Sequence, residues 1–249
     1  MPVVRTEAIA LGRSDYSDSS QIVTFYTRDH GKIRALAKGF KRASGRHSSK
    51  AVDLLSQYQI FFIKKEQTSL HTLTEAVLQN NYPTLRNDLD KYYRASYMAE
   101  LTNEFTVEND PHEQLFDILT ETLAGISTDH DPVLRSLVFE IKLLKILGYL
   151  PDWGCCVECK SRIQQAAGVY FSAKDGGGVC KRCQTKFTRG IVVPSGAMLI
   201  AGRLAEMNLQ RLDRVRLHLS VCVEIEKMLR YYITFLLNKE LNSWKYIKV

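Results

Sequence analysis

The sequence lacks any run of about 18 apolar residues, so it offers no helical membrane span. Its first residues, Met1-Pro2-Val3-Val4-Arg5, lack the apolar core of a secretory signal and lead straight into a strand-like pattern. A cytoplasmic location is expected. There is no Gly-x-x-x-x-Gly-Lys-Ser/Thr segment, which leaves a P-loop ATPase unsupported. His-Glu-x-x-His, Gly-x-Ser-x-Gly and the protein-kinase set are missing too. The six histidines, His30, His47, His71, His112, His130 and His218, are scattered outside any motif. Asp15, Asp18 and Asp29 read as turn and cap residues rather than as a metal cluster. No catalytic residue is assigned, and a non-enzymatic protein is expected.

What is present is an ordinary globular composition with an uneven charge. The 249 residues are 45% hydrophobic and 24% charged, enough for two or three modules. The net charge is +7, which favours an acidic partner where it is concentrated. It is concentrated between Lys32 and Lys50. That stretch holds Lys32, Arg34, Lys38, Lys41, Arg42, Arg46 and Lys50 and no acid. A solvated loop can carry such charge without purpose, but bound polyanion would relieve its self-repulsion. Phe40 within the run suits base stacking. These eight residues form the candidate nucleic-acid surface.

Around that segment, Val3–Leu11, Gln21–Thr27, Lys32–Ala37, Gln57–Lys64 and Ser69–Leu78 read as strands by period-2 alternation and β-branched or aromatic content. Five strands in about eighty residues with no helix pattern suggest a small barrel. Periodicity alone leaves an OB-fold and an SH3-like barrel both open. From Tyr82 onward apolar residues recur at three- and four-residue steps. Asp110-Pro111-x-Glu113 and Asp131-Pro132 read as helix starts, and Gly148 as a stop. Pro194–Met207 and about Asp213–Asn238 complete a helical bundle. Cys222 falls on the apolar stripe of the last helix and is expected in the core.

Between the third and fourth helices lie two Cys-x-x-C knuckles, Cys156/Cys159 and Cys180/Cys183, twenty residues apart. Each two-residue gap lets both sulfurs of a knuckle point inward, and four thiolates suit one structural Zn²⁺ at about 2.3 Å with no open position. Two disulfides or buried thiols are the alternatives, and Cys155 could replace Cys156. Gly176, Gly177 and Gly178 are expected to supply positive-φ turns. Lys181, Arg182 and Lys186 flank the second knuckle and could bring the module to DNA.

These pieces together resemble the RecO family of bacterial recombination mediators. The resemblance is carried by S-Q-I-V-T-F-Y-T-R-D-H-G-K-I-R-A-L-A-K-G, by L-G-Y-L-P-D before the first knuckle, by Y-F-S-A-K-D-G-G-G-V-C-K-R-C, and by L-N-K-E-L-N-S-W-K near the end. It implies an α+β multidomain chain. An N-terminal five-stranded OB-fold barrel would span 1–81 and a helical domain 82–150 and 189–249, with a four-cysteine zinc module inserted at 151–188. It also implies binding of single- and double-stranded DNA, annealing of complementary strands and help in loading RecA. RecR, RecF and single-stranded-DNA-binding protein are the implied partners, and the nucleoid the implied place. The zinc ligands it implies are Cys156, Cys159, Cys180 and Cys183. A zinc-ribbon regulatory factor, a nuclease and a protein scaffold are the rival readings.

Overall fold

The computed structural model describes residues 2–39, 52–66, 68–128, 131–163 and 168–247. The chain divides into two compact units, 1–128 and 129–249.

The first unit begins with five strands: β1 (Val3–Ser17), β2 (Ser20–Thr27), β3 (Gly31–Ala37), β4 (Gln57–Ile63) and β5 (Leu70–Asn80). They close into a barrel in the order β1-β2-β3-β5-β4. β1 is long enough to serve two neighbours, pairing with β4 through Val3–Ile9 and with β2 through Ala8–Ser17. A register shift between Ala10 and Gly12 bends it from one to the other. Closure comes from a parallel pairing of β3 with β5, Arg34 to Ala37 against Leu70 to Leu73. The expected five-stranded OB-like barrel is therefore present, and only the strand ends move.

Its core follows from the alternation. Ile33, Ala35 and Ala37 of β3 point inward with Ala8, Ala10, Val23, Phe25, Ile60 and Phe62. Alanines on β1 and β3 leave room for the phenylalanines of β2 and β4, the large-and-small alternation that fills a narrow barrel.

Two helices belong to this unit: α1 (Leu89–Phe105) and α2 (Glu113–Thr128). The helical period beginning near Tyr82 is broken into a 3-10 turn, Pro83–Asn87, followed by α1. Asp88 separates them because its backbone is extended and its side chain accepts from the Lys91 N–H at 3.2 Å. Asp110-Pro111 does not start a helix. The chain there runs alongside β3, with Asn109 N–H donating to Lys32 O at 2.9 Å, and α2 begins only at Glu113. The approach is close: a Cβ on Gly31 (φ 63°) would lie 2.2 Å from Asp110 O.

The second unit holds α3 (Pro132–Ile146), the strands β6 (Val169–Ser172), β7 (Gly177–Val179) and β8 (Ile191–Val193), then α4 (Ser195–Glu206) and α5 (Leu219–Leu237). α3 starts as its sequence indicates, Asp131 accepting from Leu134 N–H at 3.0 Å with Pro132 at the first position. Gly148 ends that stretch at φ 80°. α5 starts six residues later than its periodicity suggests. Asp213 instead lies in a 3-10 turn and binds the largely buried Arg135 of α3 at 2.5 Å. Cys222 is buried among the apolar residues of α5, as its position on the stripe requires. No helix among the described residues is long and apolar enough to cross a membrane.

Candidate metal centre and nucleic-acid interface

The two knuckles are built by backbone hydrogen bonds before any metal is considered. In the first, Lys160 N–H donates to Cys156 O at 2.9 Å, and Lys160 adopts φ 58° to turn the chain back. In the second, Cys183 N–H donates to Cys180 O at 2.9 Å. The strand pair β6–β7 presents the second knuckle to the first, and Val157 N–H reaches Gly178 O at 3.0 Å.

The three glycines before Cys180 have different reasons. Only Gly176 has positive φ, at 67°. Gly177 and Gly178 lie in β7 and are small because neighbours press on them. A Cβ on Gly177 would meet Asp152 O at 2.8 Å, and one on Gly178 would meet Ile163 Cδ1 at 2.4 Å. The expectation of three positive-φ turns is corrected to one.

The outcome is a cluster. The sulfurs of Cys156, Cys159, Cys180 and Cys183 all lie within 4.8 Å of one another, and Cys159 Sγ is 3.7 Å from Cys180 Sγ. All are free thiols, not disulfides. Cys155 stays outside the cluster, its N–H held by Asp152 Oδ1 at 2.9 Å. A tetrahedral ion with bonds of about 2.3 Å separates its sulfurs by about 3.8 Å, so the group fits a metal of that size.

The surroundings also prepare the thiols. Hydrogen bonds from the Ser161 hydroxyl, 3.1 Å away, and from its backbone lower Cys159 to about 6. Cys180 is lowered first by the Cys183 N–H, whereas burial leads in pushing Cys183 up to about 12. Cys180 N–H also points at Cys156 Sγ, 3.4 Å away. Cys159 is thus the readier of the two to ionise.

The module is anchored to its helices by aromatic rings. Phe171 of β6 stacks on Trp153 at 6.3 Å and meets Tyr232 of α5 edge-on at 5.8 Å. Tyr232 hydroxyl donates to Tyr149 O at 2.9 Å.

The candidate nucleic-acid residues are distributed less evenly. Phe40, Lys41, Arg42, Arg46 and Lys50 lie outside the described residues. Arg34 and Lys38 are exposed at the barrel surface. Lys32 is half-buried, and its ammonium donates to Asn103 O and Thr106 O, both at 2.5 Å, where α1 ends. Burial lowers its pKa. Its work is to hold the helix end to the barrel, and no local sequence signal separates it from its basic neighbours.

Lys64 and Lys65 carry no such signal either. They stand at the β4–β5 connection and line an open hollow of about 480 Å³ with Glu66, Thr68, Ser69, His71 and Asn109. In OB-folds that connection is one of the oligonucleotide-binding loops.

Fold and site together define a class: an OB-like barrel joined to helices that carry a four-cysteine centre able to take a metal ion. The family model described as recombination protein O N terminal matches residues 1–82, and the one described as recombination protein O C terminal matches 86–245. The chain belongs to the RecO family. It is 31% identical to the DNA repair protein RecO of Syntrophus aciditrophicus, across 97% of this chain and 93% of that one. It is 30% identical to the DNA repair protein RecO of Bacillus subtilis, across 92% and 88% respectively. Its place is among DNA repair proteins.

Proposed function

We propose that this chain is a non-enzymatic recombination mediator. It binds single- and double-stranded DNA, anneals complementary strands and assists RecA loading together with RecR, RecF and single-stranded-DNA-binding protein, at the nucleoid in the cytoplasm. One observation carries the DNA reading: an OB-like barrel whose β3 leads into an acid-free run of cations. Family membership supports the partners.

Annealing needs no covalent chemistry. Two polyanions must be brought together, and side-chain cations in place of condensed counterions lower their repulsion. Arg34 and Lys38, with Lys41, Arg42, Arg46 and Lys50 beyond them, supply those cations, and Phe40 offers a stacking face. Lys64 and Lys65 add phosphate contacts at the second loop. Such binding is tolerant of sequence and steeply salt-dependent.

The four cysteines would hold one Zn²⁺, all as thiolates, with no site left for water. The ion's contribution is structural: it ties two knuckles that share only a small apolar core. The separation of 3.7 Å between Cys159 and Cys180 supports this.

The test is a titration of a labelled single strand across a salt series with the Lys38→Glu, Lys41→Glu, Arg42→Glu triple variant. Loss of three phosphate contacts should lower the salt slope by about 2, at about 0.7 per phosphate on single strands. Unchanged affinity and slope would reject the barrel surface.

A further inference from the structure

The cysteine module carries a second concentration of positive charge that the barrel reading does not use. Between Lys174 and Arg189 stand Lys174, Lys181, Arg182, Lys186 and Arg189, against the single acid Asp175. All five cations are exposed. Some of them border an open cleft of about 520 Å³, whose walls include Lys174, Lys186, Phe187, Arg189, Tyr231 and Phe235.

The acids at this cleft are already engaged. Glu158 binds Lys186 at 2.5 Å, and Asp175 accepts from the Ser172 hydroxyl at 2.5 Å. Lys174 and Arg189 have no carboxylate partner among the described residues. The aromatic side is also incompletely used. Phe235 is 49% exposed on α5, where it lines the cleft. Phe187 and Tyr231 are only half-buried.

Flat apolar rings beside unpaired cations match the two repeating parts of a single strand, bases and phosphates. An acidic peptide would satisfy the cations and leave the ring faces without a flat partner. The volume is that of a small-ligand site, so one nucleotide enters at a time.

We propose that this cleft is a second single-strand contact. A base lies against Phe187, Tyr231 and Phe235, and Lys174 and Arg189 take the flanking phosphates. The proposal rests on the nucleic-acid reading above. It gives the chain one strand contact on each unit.

The test uses the full chain and a single strand bearing 5-iodouracil. Irradiation should cross-link the peptide that holds Tyr231 and Phe235. Lys174→Gln with Arg189→Gln should lower the salt slope by about 1.4, two phosphates at about 0.7 each. Phe235→Ala should weaken binding about tenfold, the loss of one stacked base. Thermal midpoint and bound metal should stay the same. If these variants bind normally while the Lys38, Lys41, Arg42 triple variant is weakened, the cleft is rejected and the barrel reading stands. If neither set weakens binding, both fall. Protection of the cleft by an aspartate-rich peptide without any nucleotide cross-link overturns the proposal in favour of a protein partner. Where a variant fails to fold, the cross-link map of the unaltered protein decides alone.

Discussion

Two small β-assemblies in this chain are held together by different means. The barrel closes five strands around thirteen buried residues, among them Phe25, Ile33, Ile60 and Phe62. The sheet β6–β8 has strands of four, three and three residues, and the core beside its knuckles consists of Cys156, Val179 and Cys183. So small an apolar cluster falls far short of offsetting the entropy of ordering the segment. A metal held by the four convergent thiols would supply the cross-link that a core supplies elsewhere. The barrel stands on sequence-wide hydrophobic patterning, whereas the sheet leans on Phe171 and its aromatic neighbours and the knuckles on four positions.

Removing one thiol should show the contrast most strongly. Cys180→Ala leaves three ligands, and the expected outcome is loss of the stoichiometric metal and unfolding of the module, with the barrel transition unmoved. Calorimetry paired with metal analysis reads both. A variant that keeps its metal and its upper transition would erase the distinction between the two assemblies. The converse substitution, Phe62→Ala, empties the fully buried centre of the barrel and should cost about 3–5 kcal/mol while metal content stays at one per chain. Coupled loss of the metal would show that barrel and cysteine module unfold together.

The smallest effect is a pH dependence confined to the barrel. His71 is buried, accepts from Lys65 N–H through Nδ1 at 3.3 Å, and has its pKa lowered, by burial first. His30, which meets the same Phe62 ring, is lowered likewise. The unfolded chain therefore binds more protons near pH 6. Stability from these neutral rings is complete above the unfolded value of about 6.5 and is lost as pH falls through that range. A thermal series from about pH 7.5 to 5.5 should lower the barrel midpoint, and His71→Gln should flatten that slope. Equal slopes in both proteins would remove His71 from the account.

Much of this was legible in the residues, for identifiable reasons. The five strands follow from alternation, since Ile33, Ala35 and Ala37 must share a face whatever surrounds them. The cysteine cluster follows from spacing. What could not be read depends on contacts distant in sequence. Asp110-Pro111 has every local mark of a helix start, yet the strand-like run beside Gly31 overrides it. Asp213 has a helical context and is taken by Arg135, 78 positions away. Lys32 is indistinguishable from Arg34 by charge or period, and only the carbonyls at the end of α1 set it apart. The helices are likewise alike in sequence, but α1 and α2 join the barrel's unit while α3, α4 and α5 join the other.

The parallel pairing of β3 with β5 also bears on how the chain reaches this structure. β2 and β3 can pair as soon as both exist, because only a short turn, Arg28–His30, separates them. The barrel as a whole must wait for Val3 to find Ile63 and for Arg34 to find Leu70. Closing such long loops precedes any reward from the contacts they allow, which makes this the slow part of folding. During synthesis, β1 to β4 would emerge as an open sheet with unpaired edges at β3 and β4, and the barrel could shut only once β5 had followed them out.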